Sequence, residues 1–312
     1  MTVFLVESML KLNIKNETSR LRKVVLGTAI SNGPIPKLDD CYDPKSIEHI
    51  KAGTYPTELD MIAEMNALES VFKKYQVDVL KPKVIQDCNQ IFSRDIAFVI
   101  EDIMIEANIL PHREEEVHAI DYIWNQVSPD KRMILPKECH VEGGDVMPWN
   151  DYIFVGTYSG SDYANFITAR TNIDAVIALQ ELFPNKIVKS FELRKSNTNP
   201  RENALHLDCC FNPLGKGKAI IHKNGFLVEK EYDWLVNHFG KDNIFEINKD
   251  EMYAMNSNVF SISEEVVISE KNFTRLNAWL RQQGFTVEEV PYHEIGKQEG
   301  LFRCSTLPLY RD

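Results

Sequence analysis

The residues best suited to chemistry stand in four short segments, three of which come directly before a predicted strand. Their candidate side chains are Asn89 and Asp95 in NQIFSRD, Glu142 and Asp145 in HVEGGD, His206 and Asp208 in ALHLD, and Cys304 in RCSTLPL. A cysteine and a histidine form the smallest nucleophilic pair, because the thiolate attacks and the imidazole moves protons. If the segments surround one axis, these side chains meet in one candidate active site.

Each of these residues also has a purely structural interpretation. An aspartate at the start of a strand is often a turn or cap residue, and the glycines of EGGD could supply positive φ angles. His206 and Cys304 could each pack in the core. In an extended segment, however, His206 and Asp208 would point to the same face of the strand. The recurrence of ionisable groups at equivalent positions favours a shared site over separate structural roles.

A metal centre is the first alternative, because His206, Asp208 and a cysteine are all potential zinc ligands. Cys209 and Cys210 are adjacent, however, so they would face opposite sides of a strand, and the chain has no C-x-x-C or H-x-x-x-H motif. The segment LGKGK lacks the spacing and the following Ser or Thr of a phosphate loop, and it is better interpreted as a hairpin turn. We therefore expect no metal site and no phosphate site.

The carboxylates around the thiol constrain the chemistry of the substrate. They would raise the pKa of a cysteine above its free value of about 8.5 and disfavour a protease or acyl-transfer site, which needs oxyanion donors. A cationic guest removes this conflict. A planar guanidinium offers N–H donors to paired carboxylates, and its charge stabilises a thiolate aimed at its central carbon. The residues therefore favour a guanidino substrate that activates its own nucleophile.

Five cycles of one pattern run along the chain. Four have a β-hairpin, a helix and a further strand, and the first opens with a single strand in place of the hairpin. The predicted features include a strand in RKVVLGT, a helix in ELDMIAEMNALESVFKKY, a hairpin turn at EDI, one charged helix from about Arg113 to Val127, a turn at Gly215 to Gly217 and a helix that ends at Gly240. A period of roughly 50 to 60 residues indicates a closed array of repeats, since no single unit buries its own apolar face. We expect one domain over residues 1–312, with a docked C-terminal tail.

The composition is that of an ordinary globular protein of 312 residues, 44% hydrophobic and 26% charged. A net charge of -11 argues against nucleic-acid binding. The start MTVFLVES has no basic leader, and no apolar stretch approaches the roughly 18 residues of a membrane span. Six cysteines in such a chain indicate reduced thiols. We expect a cytoplasmic protein with a small-molecule substrate, and the sequence leaves the oligomeric state open.

The segments FSRD, EGGDV, HLD and RCSTLPL occur in the order of a known family's signatures. They resemble those of the guanidino-modifying enzymes of the pentein fold, which include arginine deiminase, dimethylarginine dimethylaminohydrolase and glycine amidinotransferase. The resemblance covers nearly the whole chain, from RKVVLG to the tail. It implies an α/β fold built as a five-bladed propeller with pseudo-fivefold symmetry, and a place in arginine metabolism. It also implies no cofactor, because the cysteine and histidine perform the chemistry.

The resemblance further implies roles for individual residues. Cys304 would be the nucleophile that forms a covalent amidino adduct, and His206 would be the general acid and base. Asp95 and Asp208 would hold the guanidinium, while Glu142 would orient or charge-balance His206. Further substrate contacts are implied for Asn89, for Asp145, which could instead only shape its loop, and for Arg113 and Arg170, which stand close to the family's α-carboxylate-binding arginines.

The sequence carries features of both reactions that the family performs. RCSTLPL is closer to the deiminase ending, whereas HLDCCFNPLGKGKAII and SRDIAFVIEDIMIEA are similar to the transferase. The chain has KQEGLF where deiminases carry a glycine pair and a gating arginine, and it has no room for the inserted helical domain of fuller deiminases. We expect a deiminase that acts on arginine or a close relative. Amidino transfer to an amine and a non-catalytic pentein-fold binding protein are the alternatives.

Overall fold

Five small sheets of three strands each make up the fold of the computed structural model, which describes residues 9–312. In four of the sheets, the central strand pairs antiparallel with the strand before it and parallel with the strand after it. The strands are β3 (Ala97–Ile100), β4 (Ile103–Glu106) and β5 (Arg132–Ile134); β6 (Val146–Trp149), β7 (Tyr152–Thr157) and β8 (Ile187–Glu192); β9 (Phe211–Pro213), β10 (Ala219–Ile221) and β11 (Ile244–Glu246); and β12 (Phe260–Ser261), β13 (Val266–Glu270) and β14 (Thr286–Val290).

The remaining sheet joins the two ends of the described chain. Its central strand β1 (Leu21–Leu26) pairs parallel with β2 (Asp78–Leu80) and antiparallel with β15 (Thr306–Arg311). The C-terminal strand thus supplies the hairpin partner that the first cycle lacks. This pairing closes the five sheets into the predicted five-bladed α/β propeller, and it confirms that the tail is docked.

Helices connect the second and third strands of the sheets, as parallel pairing requires a crossover connection. The bounds of these crossover helices are α1 (Pro44–Lys51), α2 (Glu58–Lys74), α4 (Glu114–His118), α5 (Asp121–Trp124), α6 (Ile173–Leu182), α7 (Glu229–Phe239) and α9 (Thr274–Gln282). The short helices α3 (Ser93–Ile96), α8 (Lys249–Tyr253) and α10 (His293–Gly296) lie between one sheet and the next. In α2 the Thr57 side chain caps the N-terminus, and Met61, Met65, Leu68 and Phe72 are buried at helical spacing. The predicted end of α7 at Gly240 is confirmed, with φ at 83°.

Both predicted hairpin turns contain residues in the left-handed region of the backbone. Glu101 in the EDI turn has φ at 54°, and Lys216 and Gly217 in the LGKGK turn have φ at 59° and 67°. Two adjacent residues with positive φ match the tight hairpin turns whose twist suits the flanking strands. LGKGK is therefore a hairpin turn, as predicted.

Three local predictions were wrong. The charged segment from Arg113 to Val127 is not one helix, because it is divided into α4 and α5. The predicted elements include no helix between the strand in RKVVLGT and the helix in ELDMIAEMNALESVFKKY, but α1 lies there, capped by Asp43 and started by Pro44. The segment Leu207–Cys209 is a 3-10 helix rather than a strand, so the argument that His206 and Asp208 share a strand face does not hold.

No helix within residues 9–312 is long and apolar enough to cross a membrane. The expectation that the chain starts without a secretory leader concerns residues 1–8, which lie outside the described part of the structure.

We predict that the packing of β15 limits the stability of the fold. Leu309 is fully buried, so Leu309→Ala should lower the free energy of unfolding by about 2–5 kcal/mol. Tyr310 on the same strand is only partly buried, and Tyr310→Ala is the matched control with a smaller loss. Urea denaturation followed by circular dichroism measures both. Equal losses for the two variants would contradict the prediction.

Candidate active site

Several of the predicted site residues lie directly before a strand, in short turns or helices. Asp95 is in α3 before β3, Asp145 in the 3-10 helix Gly143–Asp145 before β6, and Asp208 in the 3-10 helix Leu207–Cys209 before β9. Cys304 stands two residues before β15. Because equivalent ends of the first strands meet around the axis of a closed ring, these turns bring distant residues to one place.

The glycine pair of EGGD permits close packing rather than an unusual backbone angle. Neither Gly143 nor Gly144 has a positive φ, contrary to the simple structural interpretation. A Cβ at Gly143 would lie 2.1 Å from the Arg94 carbonyl oxygen, and one at Gly144 would lie 2.5 Å from Nδ1 of His206. The glycines therefore let the imidazole of His206 and the α3 backbone approach this turn.

His206 lies between two carboxylates in the buried centre. Its Nε2 lies 2.8 Å from Oε2 of Glu142, and its Nδ1 lies 3.8 Å from Oδ1 of Asp95. Burial alone would lower the pKa of His206, but Asp95, the hydrogen bond to Glu142 and Asp145 raise it to about 9. His206 is therefore an imidazolium at neutral pH, and it can donate a proton.

Glu142 is held as an anion by its neighbours. Nη1 of Arg170 donates to both of its carboxylate oxygens, at 3.1 and 3.0 Å, and Nη1 of Arg113 lies 3.4 Å from Oε2. Burial would raise the pKa of Glu142, but Arg170, the hydrogen bond to His206 and Arg113 together lower it below its ordinary range. Glu142 thus fixes the charge and orientation of His206.

Arg113 and Arg170 are occupied by groups of the protein itself. Arg113 donates from Nε and Nη2 to Glu116 at 2.8 Å each, and from Nη1 to Asp95 at 2.9 Å. Arg170 donates from Nε to the Ile167 carbonyl and from Nη2 to the Tyr42 carbonyl, both at 2.8 Å. Most N–H groups of the two arginines therefore donate to groups of the protein. In this geometry, Arg113 and Arg170 position the buried acids.

Cys304 has a buried thiol with one amide and one carboxylate as neighbours. Nδ2 of Asn258 lies 3.1 Å from its Sγ, and Oδ2 of Asp208 lies 3.7 Å from it. Burial raises the pKa of the thiol well above its ordinary value, and Asp208 and Asp95 raise it further. Without a bound cation, Cys304 is a neutral thiol at neutral pH.

Two carboxylate oxygens in this centre have no hydrogen-bond partner among residues 9–312. They are Oδ1 of Asp95 and Oδ2 of Asp145, and both are buried. Burial raises the pKa of Asp95 and of Asp145. Buried acceptors without donors are uncommon in folded proteins and point to a missing partner. Oδ1 of Asp95 is the better placed of the two, because Asp95 influences both His206 and Cys304.

Asp145 and Asp208 each have one carboxylate oxygen that accepts a hydrogen bond from the protein. Oδ1 of Asp145 accepts from the Leu207 backbone N–H at 2.8 Å, which fixes the turn that carries His206. Oδ2 of Asp208 accepts from Nη1 of Arg303 at 2.8 Å. Asp145 thus makes a contact that shapes the loop, which was one of the two roles predicted for it. Asp208 is paired with Arg303, the residue next to Cys304.

Asn89 has no hydrogen bond to another predicted site residue in the described part of the chain. Its Nδ2 donates to Oε1 of Gln298 at 2.8 Å, and its Oδ1 accepts from the Ile91 backbone N–H. It lines a small cavity of about 50 Å³. A larger cavity of about 820 Å³ opens onto Glu142 and Arg170 from the side of β4 and α4.

Asp95, Glu142 and His206 are close enough together to hold a metal ion, because one potential ligand atom from each lies within 4.8 Å of the others. Both oxygens of Glu142 are already bonded to Arg170, however, and Nη1 of Arg113 contacts Asp95 and Glu142. A divalent cation would have to sit beside these two guanidinium groups. The donor set is better suited to an organic cation than to a metal.

Asn258 and Arg303 also belong to this centre, although the sequence did not predict them as site residues. Asn258 precedes β12, which makes it the fifth-cycle equivalent of Asp95, Asp145 and Asp208. Its Oδ1 accepts from the backbone N–H groups of Leu301, Arg303 and Cys304. The repeat that located the aspartates therefore contained the signal for Asn258. No spacing rule pointed to the pairing of Arg303 with Asp208 and Glu17.

The fold and the chemistry of the centre define a pentein-fold protein of the guanidino-modifying class. A sequence model of the family described as "N,N dimethylarginine dimethylhydrolase, eukaryotic" matches residues 56–311. The chain belongs to this family.

Individual relatives come from several branches of the same superfamily. The uncharacterized protein YkgA of Bacillus subtilis (strain 168) is 31% identical over 230 residues, which cover 71% of this chain and 70% of that protein. Arginine deiminase of Limosilactobacillus fermentum (strain NBRC 3956 / LMG 18251) is 25% identical over 72% of this chain, which spans only 62% of that enzyme. The solved structure of SxtG, an amidinotransferase from Microseira wollei, has a TM-score of 0.75 and 19% identity, and the match covers 96% of this chain and 97% of that one.

We predict that Glu142 maintains the protonated state of His206. Glu142→Gln removes an anion and should lower the pKa of His206 from about 9 towards its ordinary value of 6.5, as followed by NMR of the imidazole C–H signals. Protonation of His206 stabilises the wild-type fold below pH 6.5, and this contribution is lost as the pH rises through about 9. The Glu142→Gln variant should not show this loss of folding stability as the pH rises through about 9. The imidazole of His238 lies in an aromatic cluster and serves as the internal control; an unchanged titration of His206 would refute the prediction.

Proposed function

We propose that the protein is a cysteine-dependent hydrolase of an arginine-type guanidino compound, and that residues 1–312 form one catalytic domain. Deiminase chemistry would give citrulline and ammonia from arginine, and an amine in place of ammonia from an N-methylated arginine. The observation that carries this proposal is the buried Oδ1 of Asp95, which has no hydrogen-bond partner among residues 9–312 and lies 3.8 Å from Nδ1 of His206. A guanidinium placed there would supply the missing donors and the positive charge that the thiol needs.

Binding of the guanidinium would activate Cys304. Its charge offsets Asp95 and Asp208, so the pKa of the thiol falls and the thiol proton passes to solvent. The thiolate then attacks the central guanidinium carbon and forms a C–S bond. The imidazolium of His206 donates its proton to one departing nitrogen, the C–N bond breaks, and ammonia or an amine leaves. A positively charged amidino-cysteine remains.

Water would complete the cycle in the place left by the amine. The neutral His206 takes a proton from the water molecule as its oxygen attacks the same carbon. The C–S bond then breaks with its electron pair returning to sulfur, which regenerates the thiolate, and the remaining proton passes to solvent. The product is a urea group on the former arginine side chain. Glu142 supports both halves because it stabilises the imidazolium each time it forms.

Amidino transfer is the second candidate reaction. It would use the same first half, with an amine instead of water attacking the amidino-cysteine. The cavity of about 820 Å³ beside Glu142 lies in the range of small-molecule sites and has room for an acceptor. The likeness to SxtG concerns the fold alone. The two reactions therefore differ in the second nucleophile, which a product assay distinguishes.

We predict that arginine or N,N-dimethylarginine yields citrulline with ammonia or dimethylamine, and that Cys304→Ala abolishes turnover. The loss follows because no other group supplies the sulfur for the covalent adduct. Chromatography of the amino-acid products with and without glycine measures the outcome. Cys139→Ala removes another buried thiol, in the core between the second and third sheets, and is the control that should retain activity. Ornithine formed only in the presence of glycine would establish transfer, and turnover by Cys304→Ala would exclude the covalent mechanism.

A further inference from the structure

Glu17 lies in the segment before β1 and is connected to Cys304 by a chain of buried contacts. It is 5% exposed, and its Oε1 and Oε2 accept from Nη2 and Nε of Arg303 at 3.1 and 3.4 Å. Nη1 of Arg303 donates to Oδ2 of Asp208 at 2.8 Å, and Sγ of Cys304 lies 3.7 Å from that same oxygen. One guanidinium thus bridges Glu17 and the acid beside the thiol.

The guanidinium of Arg303 uses all five of its N–H groups in these and two further contacts. Nη1 also donates to the Gly144 carbonyl at 3.1 Å, and Nη2 donates to the Val146 carbonyl at 2.7 Å. Both carbonyls belong to the EGGDV segment, which contains two of the predicted site residues. The planar fork of arginine can satisfy this arrangement, whereas a lysine ammonium has only three donors. Arg303 therefore fixes Asp208 relative to the EGGDV segment.

Glu17 also faces a second buried arginine. Nη1 of Arg94 lies 3.9 Å from Oε1 of Glu17, and Nε of Arg94 donates to the Arg303 carbonyl at 3.3 Å. Burial would raise the pKa of Glu17, but the neighbouring arginines, Arg303 first, lower it below its ordinary value. Glu17 is therefore an anion at neutral pH. It lies against the two arginines that adjoin Asp95 and Cys304 in the chain.

The charge of Glu17 offsets that of Arg303. A guanidinium next to Asp208 would by itself favour the thiolate form of Cys304 and repel a cationic guest. Glu17 binds the Nε and Nη2 side of the same guanidinium, which leaves Nη1 for Asp208. With Glu17 in place, Asp208 is oriented by a hydrogen bond and the region around it still attracts a cation.

We propose that Glu17 is a positioning residue of the candidate active site, which acts through Arg303 to fix the orientation and the electrostatic surroundings of Asp208 beside Cys304. Removal of its charge should therefore alter both the thiol and the binding of a cationic ligand. The effect on turnover rests on the proposed function, whereas the effect on the thiol does not.

The first test measures the thiol of Cys304 directly. Glu17→Gln keeps the shape of the side chain and removes its charge, so Arg303 should stabilise the thiolate. We expect iodoacetamide to alkylate Cys304 at least about 5-fold faster at pH 8 in this variant, as measured by mass spectrometry of its peptide. The other ionisable groups around the thiol are the same in both proteins: Asp208, Asp95, Cys209 and Tyr292. An unchanged alkylation rate between pH 7 and pH 10 overturns the proposal.

The second test uses steady-state kinetics with arginine and N,N-dimethylarginine. Glu17→Gln should raise KM at least about 5-fold and change kcat less than about 3-fold, because the uncompensated charge of Arg303 weakens the binding of a cation. A purely structural role would lower kcat through loss of folded enzyme and leave KM unchanged, and that result would refute the positioning role.

A double variant decides the matter if Glu17→Gln does not fold. Removal of both members of a buried ion pair is better tolerated than removal of one, so Glu17→Gln is combined with Arg303→Gln. Asp208 then loses the cation nearest to it, and alkylation of Cys304 at pH 9 should be at least about 3-fold slower than in the wild type. An unchanged rate in the double variant also overturns the proposal.

Glu251→Gln is the matched control. Glu251 also accepts from Nε and Nη2 of an arginine, Arg275, but this pair lies between α8 and α9 and is partly exposed. The alkylation rate of Cys304 and KM should both stay at their wild-type values.

Failure of the positioning role differs from failure of the proposed function. If Glu17→Gln speeds alkylation but the wild type turns over neither substrate, the positioning role stands and the hydrolase fails. If the wild type hydrolyses arginine and Glu17→Gln changes neither alkylation nor KM, the hydrolase stands and the positioning role fails.

Discussion

The site depends on the compensation of buried acids by buried arginines. Asp95 and Glu142 would be costly in the interior if they stood alone, since an unpaired buried charge destabilises a fold severely. Arg113 and Arg170 bond to them from one side, and Arg303 bonds to Asp208 from the other. These cations offset the free-energy cost of burying the acids, but they leave some carboxylate oxygens without a donor. In the proposed function, the substrate binds to those oxygens.

This compensation explains why Cys304, the proposed nucleophile, is a neutral thiol in the empty site. The arginines are turned towards their own carboxylates, and the neighbour of Sγ on the charged side is Asp208. Among residues 9–312, no cationic side chain donates a hydrogen bond to Sγ of Cys304, whose partners are Asn258 and Asp208. A thiol with a raised pKa is a poor nucleophile and is slow to oxidise, because the thiolate is the reactive form. In the proposed mechanism, Cys304 therefore reacts only in the complex with a cationic guest.

The sequence was most informative where the repeat and the chemistry coincided. Asp95, Glu142, His206 and Asp208 were located because each precedes a first strand, and that property survives errors in local structure, such as the 3-10 helix at Leu207–Cys209. The partners of Arg113 and Arg170 could not be predicted from the sequence. A long arginine side chain can reach several acids, and the acids near it are brought together only when the ring of sheets closes. Helix α1 was missed because its segment has the Pro and Asp of a loop, although the same residues cap and start a helix.

The pairing of β15 with β1 both closes the ring and positions Cys304, the proposed nucleophile. Cys304 stands two residues before β15, whose pairing with β1 completes the propeller. The backbone N–H of Arg94 donates to the Cys304 carbonyl at 3.0 Å, and Oγ of Ser93 donates to the Ser305 carbonyl at 2.9 Å. The turn that carries Asp95 thus binds the turn that carries the cysteine directly. A chain in which β15 is not docked would lose the thiol from the centre, so the geometry around the substrate exists only in the fully closed fold.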